Sequence, residues 1–292
     1  MCDQDTINDN NDYLKGIGQL TRRQFGKLSA GAGLAMMLPR VANALDVMEM
    51  EINITTPDGT ADCYFVHPNS GAHPGVLVWP DIFGLRGAFR QMGKRLAESG
   101  YSVLVVNPFY RKQKAPTAPE NPDFNNTETR DALFALAGTL TAETNVTDAK
   151  AFIAWLDNQA SVDKSRKIGT TGYCMGGPLT MRTAAALPDR VGAGASFHGG
   201  SLVTDKPDSP HLLVPNMKAQ YLFAIAENDD KSDPKAKDVL RETFAKANLQ
   251  AEIEVYTGAM HGWCPPDSRV YNEAQAERAW SRMLALFEEA LA

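Results

Sequence analysis

The segment Lys167–Leu187 constrains the chain more than any other. Lys167-Ile168-Gly169-Thr170-Thr171 is short, β-branched and bounded by polar residues, the mark of a buried strand. Gly172-Tyr173-Cys174-Met175-Gly176-Gly177 follows as a sharp turn. Pro178 to Leu187 is then rich in Ala, Leu and Met, with a proline in its first turn, which is a helix start. A residue at the apex of so tight a strand, turn and helix is held in a strained backbone conformation with its side chain above the sheet edge. Glycines two before and two after it relieve the crowding. Gly-x-Cys-x-Gly is therefore a nucleophile elbow with sulfur as the nucleophile. The amides that open the following helix point at the same spot, which makes the Met175 N–H an oxyanion donor. The competing reading is a free cysteine packed as a small hydrophobe beside a glycine-rich bend.

The rest of the chain supplies the sheet such an elbow needs. Met48 to Thr56 and Ala61 to Val66 alternate apolar and polar residues across Pro57-Asp58-Gly59, a β-hairpin. Val76–Trp79 and Tyr101–Val106 are continuous apolar runs, strands covered on both faces; the first ends at Pro80-Asp81-Ile82-Phe83-Gly84. Arg86–Glu98 is a helix with Phe89, Met92 and Leu96 inward and Arg86, Arg90 and Lys94 outward. Residues 110–127 are polar and proline-punctuated, an irregular excursion over the sheet of the kind that forms lids or binding loops. Thr129–Leu140 and Val146–Asn158 read as helices. Gly194–Phe197 is a short strand ending in His198, and Tyr221–Ala226 another that stops at Glu227-Asn228-Asp229-Asp230. The helix Pro234–Ala247, the strand Glu252–Tyr256 and the helix Val270–Leu291 close the chain, with His261 on the glycine-flanked loop between the last two.

Strands alternating with helices after a hairpin imply an α/β fold, a mainly parallel sheet covered by helices on both faces. Chemistry in such sheets gathers beyond the carboxyl ends of the strands. Four of those ends carry reactive side chains: Asp81, Cys174, Asp229 or Asp230, and His261. With 292 residues, 43% of them hydrophobic, and no linker after residue 45, the chain suits one large domain over residues 45–292. A net charge of −6 without a basic tract argues against a nucleic-acid surface. No Cys-x-x-Cys or histidine cluster suggests a metal site.

The first 44 residues are of another kind. Thr21-Arg22-Arg23-Gln24-Phe25-Gly26-Lys27 looks like the twin-arginine export motif. The apolar run Leu28–Leu38 is too short for the roughly 20 residues of a membrane crossing. Ala42-Asn43-Ala44 offers the small-x-small site a signal peptidase needs. Met1–Ala44 is thus expected to be a removable signal read by the twin-arginine export machinery. The mature chain, without stable membrane insertion, would then be periplasmic or secreted; the competing reading is a short amphipathic N-terminal helix. In an oxidising compartment Cys63 and Cys264 either pair or remain two separate buried thiols.

The order nucleophile, acid, histidine is the one α/β-hydrolases use. Cys174 attacks, His261 takes and returns a proton, and an aspartate fixes the imidazole. Pattern does not separate Asp229 from Asp230; Asp229 is preferred as the nearer to its strand. Gly-Tyr-Cys-Met-Gly-Gly, with Trp79-Pro80-Asp81-Ile82-Phe83-Gly84 and His261-Gly262, resembles the dienelactone hydrolase family over nearly all of residues 48–290. The resemblance implies an α/β-hydrolase fold and hydrolysis of a small-molecule ester or lactone through a thioester, with no cofactor. It implies a second oxyanion donor at the Ile82 N–H and a thiol-activating carboxylate at Asp81, where the family usually has a glutamate one methylene longer. It matches Arg130 to one of two substrate-binding arginines; Trp263-Cys264-Pro265-Pro266 stands where the other is expected, which points away from a strict dienelactone substrate. His198 and Trp263 are further candidates for the substrate pocket. The rival from another class is a non-catalytic periplasmic ligand-binding protein on the same scaffold, and a third reading makes Cys174 a redox thiol.

Overall fold

The computed structural model describes residues 4–18, 38–119 and 124–292. The twin-arginine motif, and the apolar run up to residue 37, lie outside the described residues.

An eight-stranded sheet forms the middle layer, in the order β1-β2-β4-β3-β5-β6-β7-β8. β1 (Val47–Thr56) and β2 (Gly59–Pro68) pair antiparallel across the predicted turn, with Thr56 opposite Gly59. β2 pairs antiparallel with β4 (Ser102–Val106); β3 (Gly75–Trp79), β5 (Ile168–Tyr173), β6 (Val191–Phe197), β7 (Gln220–Ala226) and β8 (Ala251–Tyr256) continue the sheet in parallel. Every residue of β3, β4 and β5 is buried, which explains their unbroken apolar or small-residue text.

Helices α2 (Gly87–Glu98) and α8 (Glu273–Ala290) cover one face, placing Phe89, Met92 and Leu96 beside Trp280, Met283 and Phe287. On the other face α4 (Ala142–Leu156), α5 (Gly176–Ala186) and α7 (Ala236–Lys246) contribute Phe152, Ile153, Leu179, Leu240 and Phe244. Burying each such side chain stabilises the fold by about 1.5–3 kcal/mol. Cys63 belongs to the second face and Cys264 to the first, so the sheet separates them and both thiols are free.

Several boundaries differ from the sequence reading, and three of the differences lie near the sheet end that carries the cavity. The strand β7 runs into a short helix, α6 (Glu227–Ser232), ahead of α7. The closing helix starts at Glu273 and not Val270, because Pro265-Pro266 precedes a turn and Asn272 caps the helix through the Gln275 N–H. The polar stretch near the N-terminus forms α1 (Gln4–Gly18), with Asp5 in its first turn and Lys15 in its last to complement the helix dipole.

The register brings the strand ends together: Trp79 lies opposite Gly172, Tyr173 opposite Phe197, and Phe197 opposite Ala224. The turn from β5 into α5 is packed backbone to backbone. A Cβ on Gly172 would lie 2.1 Å from the Gly176 carbonyl oxygen, and one on Gly176 would lie 2.2 Å from that of Trp79. Neither neighbour is a side chain that can swing away. Gly172→Ala and Gly176→Ala are each expected to lower stability by about 3 kcal/mol or more, read as a fall in the thermal midpoint by circular dichroism.

Candidate active site

Cys174 sits at the apex of this turn with a φ of +53°, a value a side chain with a Cβ rarely adopts. Its N–H donates to the Phe197 carbonyl at 3.0 Å, so the ladder holds the backbone up to the Cys174 amide. Its carbonyl accepts from the Gly177 N–H at 3.0 Å, which closes the bend. Met175 is the N-cap of α5. Cys174 is buried, 5% exposed, and lines a cavity of about 410 Å³ shared with Asp81, Ile82, His198 and His261.

His261 reaches this cavity from the loop after β8, where Gly258 and Gly262 take φ values of +77° and +98°. Its Nδ1 lies 2.9 and 2.8 Å from the two carboxylate oxygens of Asp229. Nδ1–H therefore donates to Asp229, and the ring also hydrogen-bonds the Cys174 sulfur. Burial works against the imidazolium, but the charges of Asp229 and Cys174 and the hydrogen bonds to both push its pKa up to about 10. Asn228 Oδ1 accepts from the His261 N–H at 2.8 Å and fixes the loop. Asp230 pairs instead with Lys237. The short helix α6 thus turns Asp229 toward the imidazole and its neighbour away.

Asp81 is held differently. The Arg86 guanidinium donates to both of its oxygens, at 2.7 and 3.0 Å, and the Phe83 N–H donates to Oδ1 at 2.9 Å. Arg86 also grips Asp267 through two hydrogen bonds of 2.6 and 2.9 Å. The expectation that Arg86 faces outward is corrected: it precedes α2 in extended conformation, and its side chain folds back into the cavity wall. Burial pushes the Asp81 carboxyl upward while the Arg86 charge pulls it back. The same pairing holds the guanidinium firmly charged against its own burial.

The other candidates divide. Ile82 lines the cavity beside Cys174. His198 does too, at 1% exposure, its ring 5.0 Å from that of His261 and edge-to-face. Trp263 is fully buried behind the histidine loop, stacked on Tyr256 at 5.4 Å; it is a core residue and not a cavity wall. Arg130, on α3 (Thr127–Ala137), is not brought to the cavity; it lies 4.0 Å from Asp131. The apolar walls are Phe83, Phe124 and Val270, with Phe83 and Phe124 in edge contact at 5.6 Å. Phe124 comes from the excursion between β4 and α3, as an irregular crossing of the sheet end predicts. Asp267 and Arg269, which the sequence reading did not single out, line the cavity from the segment ahead of α8. At the mouth, Ile7 and Leu14 of α1 face the cavity and Asn10 donates to the His261 carbonyl at 3.0 Å. Among the described residues, no group of three or more His, Cys, Asp or Glu is placed to hold a metal ion.

The sequence profile described as the dienelactone hydrolase family matches residues 61–291. The chain belongs to the dienelactone hydrolase family. It is similar to a carboxymethylenebutenolidase from Rhodococcus opacus, with 27% identity over 238 residues, 80% of this chain and 88% of that one. A provisionally named carboxymethylenebutenolidase from Salmonella typhi is 27% identical over 232 residues, covering 77% and 82% of the two chains. The solved structure of a provisionally named dienelactone hydrolase from Klebsiella pneumoniae subsp. pneumoniae superposes with a TM-score of 0.73. At 23% identity over 84% of this chain and 99% of that one, this likeness speaks for the fold. Sheet order, flanking helices and elbow are those of an α/β-hydrolase, and membership of the dienelactone hydrolase family makes the chain a hydrolase of that type.

Asp229→Asn removes the charge that holds the proton on His261, so the imidazole should lose it at lower pH. The midpoint is expected to fall from about 10 by about 1–3 units, followed by NMR of isotope-labelled histidine, while Asp230→Asn leaves it in place. Arg86→Met strands a buried carboxylate at Asp81 and is expected to destabilise the protein by about 3–5 kcal/mol in urea unfolding.

Proposed function

We propose that this protein hydrolyses a carboxylic ester or lactone through a thioester on Cys174. The observation that carries the reading is the continuous hydrogen-bonded series Asp229–His261–Cys174, whose histidine and cysteine line a cavity. In this reading the Cys174 sulfur, paired as thiolate with the imidazolium, attacks the acyl carbon. The tetrahedral oxyanion points at the N–H groups of Met175 and Ile82. His261 then passes its proton to the departing oxygen and the C–O bond breaks, leaving the acyl group on sulfur; a lactone opens its ring in the same step. Water attacks the thioester, His261 takes its proton, the C–S bond breaks and the acid leaves.

Asp229 holds the tautomer and stabilises the charged ring. Asp81, clamped by Arg86, lines the same cavity as Cys174 and contributes negative charge there. Phe83, Phe124, Ile82 and Val270 support an apolar acyl group. No step calls for a cofactor, since acyl transfer to water needs nucleophile, base and oxyanion donors.

Residues 1–44 are proposed to be a twin-arginine signal peptide, and residues 45–292 the mature hydrolase domain, acting in the periplasm or outside the cell. The support is the order of paired arginines, short apolar run and small-x-small site ahead of β1.

Cys174→Ala and His261→Ala are each expected to lower kcat/KM on aryl esters by about 10⁴-fold or more with the far-ultraviolet circular dichroism unchanged. Hydrolysis at the parent rate in either variant, measured after removal of contaminating esterases, would overturn the reading.

A further inference from the structure

The relay Asp229–His261–Cys174 does not account for His198. This residue lies one position beyond β6, with a φ of +39° and its N–H donating to the Ala224 carbonyl at 2.8 Å. It is 1% exposed, it lines the cavity, and neither ring nitrogen has a hydrogen-bond partner among the described residues. Each buried polar atom left so costs about 1–3 kcal/mol, and such groups in native folds call for an explanation. The ring packs by its faces and edges, 5.0 Å from the His261 ring and 5.2 Å from that of Trp263. Burial, and then the positive charge of His261, keep His198 well below the ordinary imidazole value, so it stays neutral when His261 is protonated. A neutral imidazole offers one donor and one acceptor.

Thioester chemistry asks for such a group. His261 must protonate the departing oxygen and later deprotonate a water from the same nitrogen, so both oxygens occupy one position beside it. The water there has protons to give and lone pairs to fill, and His261 satisfies a single one of them. We propose that His198 is a further catalytic residue, whose neutral ring hydrogen-bonds and orients the water that hydrolyses the Cys174 thioester. The water oxygen bonds to the acyl carbon as one of its protons passes to His261. The C–S bond then breaks, sulfur leaves as thiolate, and the carboxylic acid departs with the second proton.

The inference rests on the thioester reading, and one experiment separates the two. Release of nitrophenolate from p-nitrophenyl acetate is followed in a stopped-flow instrument for the full chain and for His198→Phe and His198→Asn. The fast phase reports acylation, the linear phase deacylation, and mass spectrometry reports the acetyl adduct on Cys174. His198→Phe keeps an aromatic ring against His261 and Trp263 but has no nitrogen. It is expected to keep the fast phase and the iodoacetamide alkylation of Cys174, to slow the linear phase by about 10–100-fold, and to accumulate the adduct. His198→Asn restores one donor and one acceptor and recovers part of the rate. A linear phase equal to the parent's in His198→Phe would remove the inference, as would equal loss of fast phase, alkylation and linear phase, which marks a structural role. His198→Leu serves in the same assay if the phenylalanine variant does not fold. A parent that forms no adduct on Cys174 removes the thioester reading and this inference with it; a parent that forms one while His198→Phe and His198→Leu turn over unchanged removes the inference alone.

Discussion

Backbone packed directly on backbone, where β5 turns into α5, sets the positions of everything at this end of the sheet. Because Gly172 meets the Gly176 carbonyl and Gly176 meets that of Trp79, the elbow cannot relax without moving β3. A third contact, Gly177 against the Cα of Gly199, ties the same turn to the segment after β6. Three strand ends are thereby locked to one another, and Asp81, Cys174 and His198 each follow one of them by one or two residues. The positive φ of Cys174 is the strain this packing maintains, and its reward is a sulfur that stands clear of the main chain instead of lying in the core.

Two charge networks then meet at the cavity, and they are kept apart by geometry. One joins Asp229, His261 and Cys174; the other joins Asp81, Arg86 and Asp267. Arg86 supplies hydrogen bonds to two carboxylates at once, so neither has an unmet demand for the His261 proton. Asp229, with no guanidinium partner of that kind among the described residues, directs both oxygens at Nδ1. The raised pKa of His261 follows from this division, since desolvation alone would lower it.

Much of this was legible in the order of residues. The buried strands announced themselves as apolar runs, the elbow through glycine spacing, and the site through reactive residues at strand ends. Asp229 could not be told from Asp230 because the distinction lies in the six-residue helix α6, too short to leave a periodic signal. Arg86 was misread because helical periodicity was extended one residue too far: at the N-cap the backbone is extended, and the side chain is not bound to the outward face. At the other end the closing helix was begun at Val270, three residues before Glu273, and Val270 lines the cavity instead. Trp263 illustrates the reverse limit, since a large aromatic beside the His261 loop fills core as readily as it lines a pocket, and its stacking on Tyr256 decides between them. The N-terminal polar stretch gave no hint that α1 would reach the cavity mouth, because Asn10 finds its partner 251 residues away.

On the proposed reading, Asp81, standing where the sequence resemblance implies a glutamate, bears on how the thiol would be activated. A longer carboxylate could hold a resting thiol and be released when substrate arrives. Asp81 is one methylene shorter and already bound on both oxygens by Arg86, with a backbone N–H on one of them as well. Pulling it toward sulfur would break a buried, bidentate ion pair, a loss of several kcal/mol that a single weak S–H hydrogen bond does not offset. On the proposed reading the proton of Cys174 is therefore taken by His261, whose charged form Asp229 and the sulfur itself stabilise. Asp81 then acts as a fixed negative charge that keeps Arg86 and the loop through Phe83 in place, so that the wall of the cavity and the Ile82 amide are set before substrate enters.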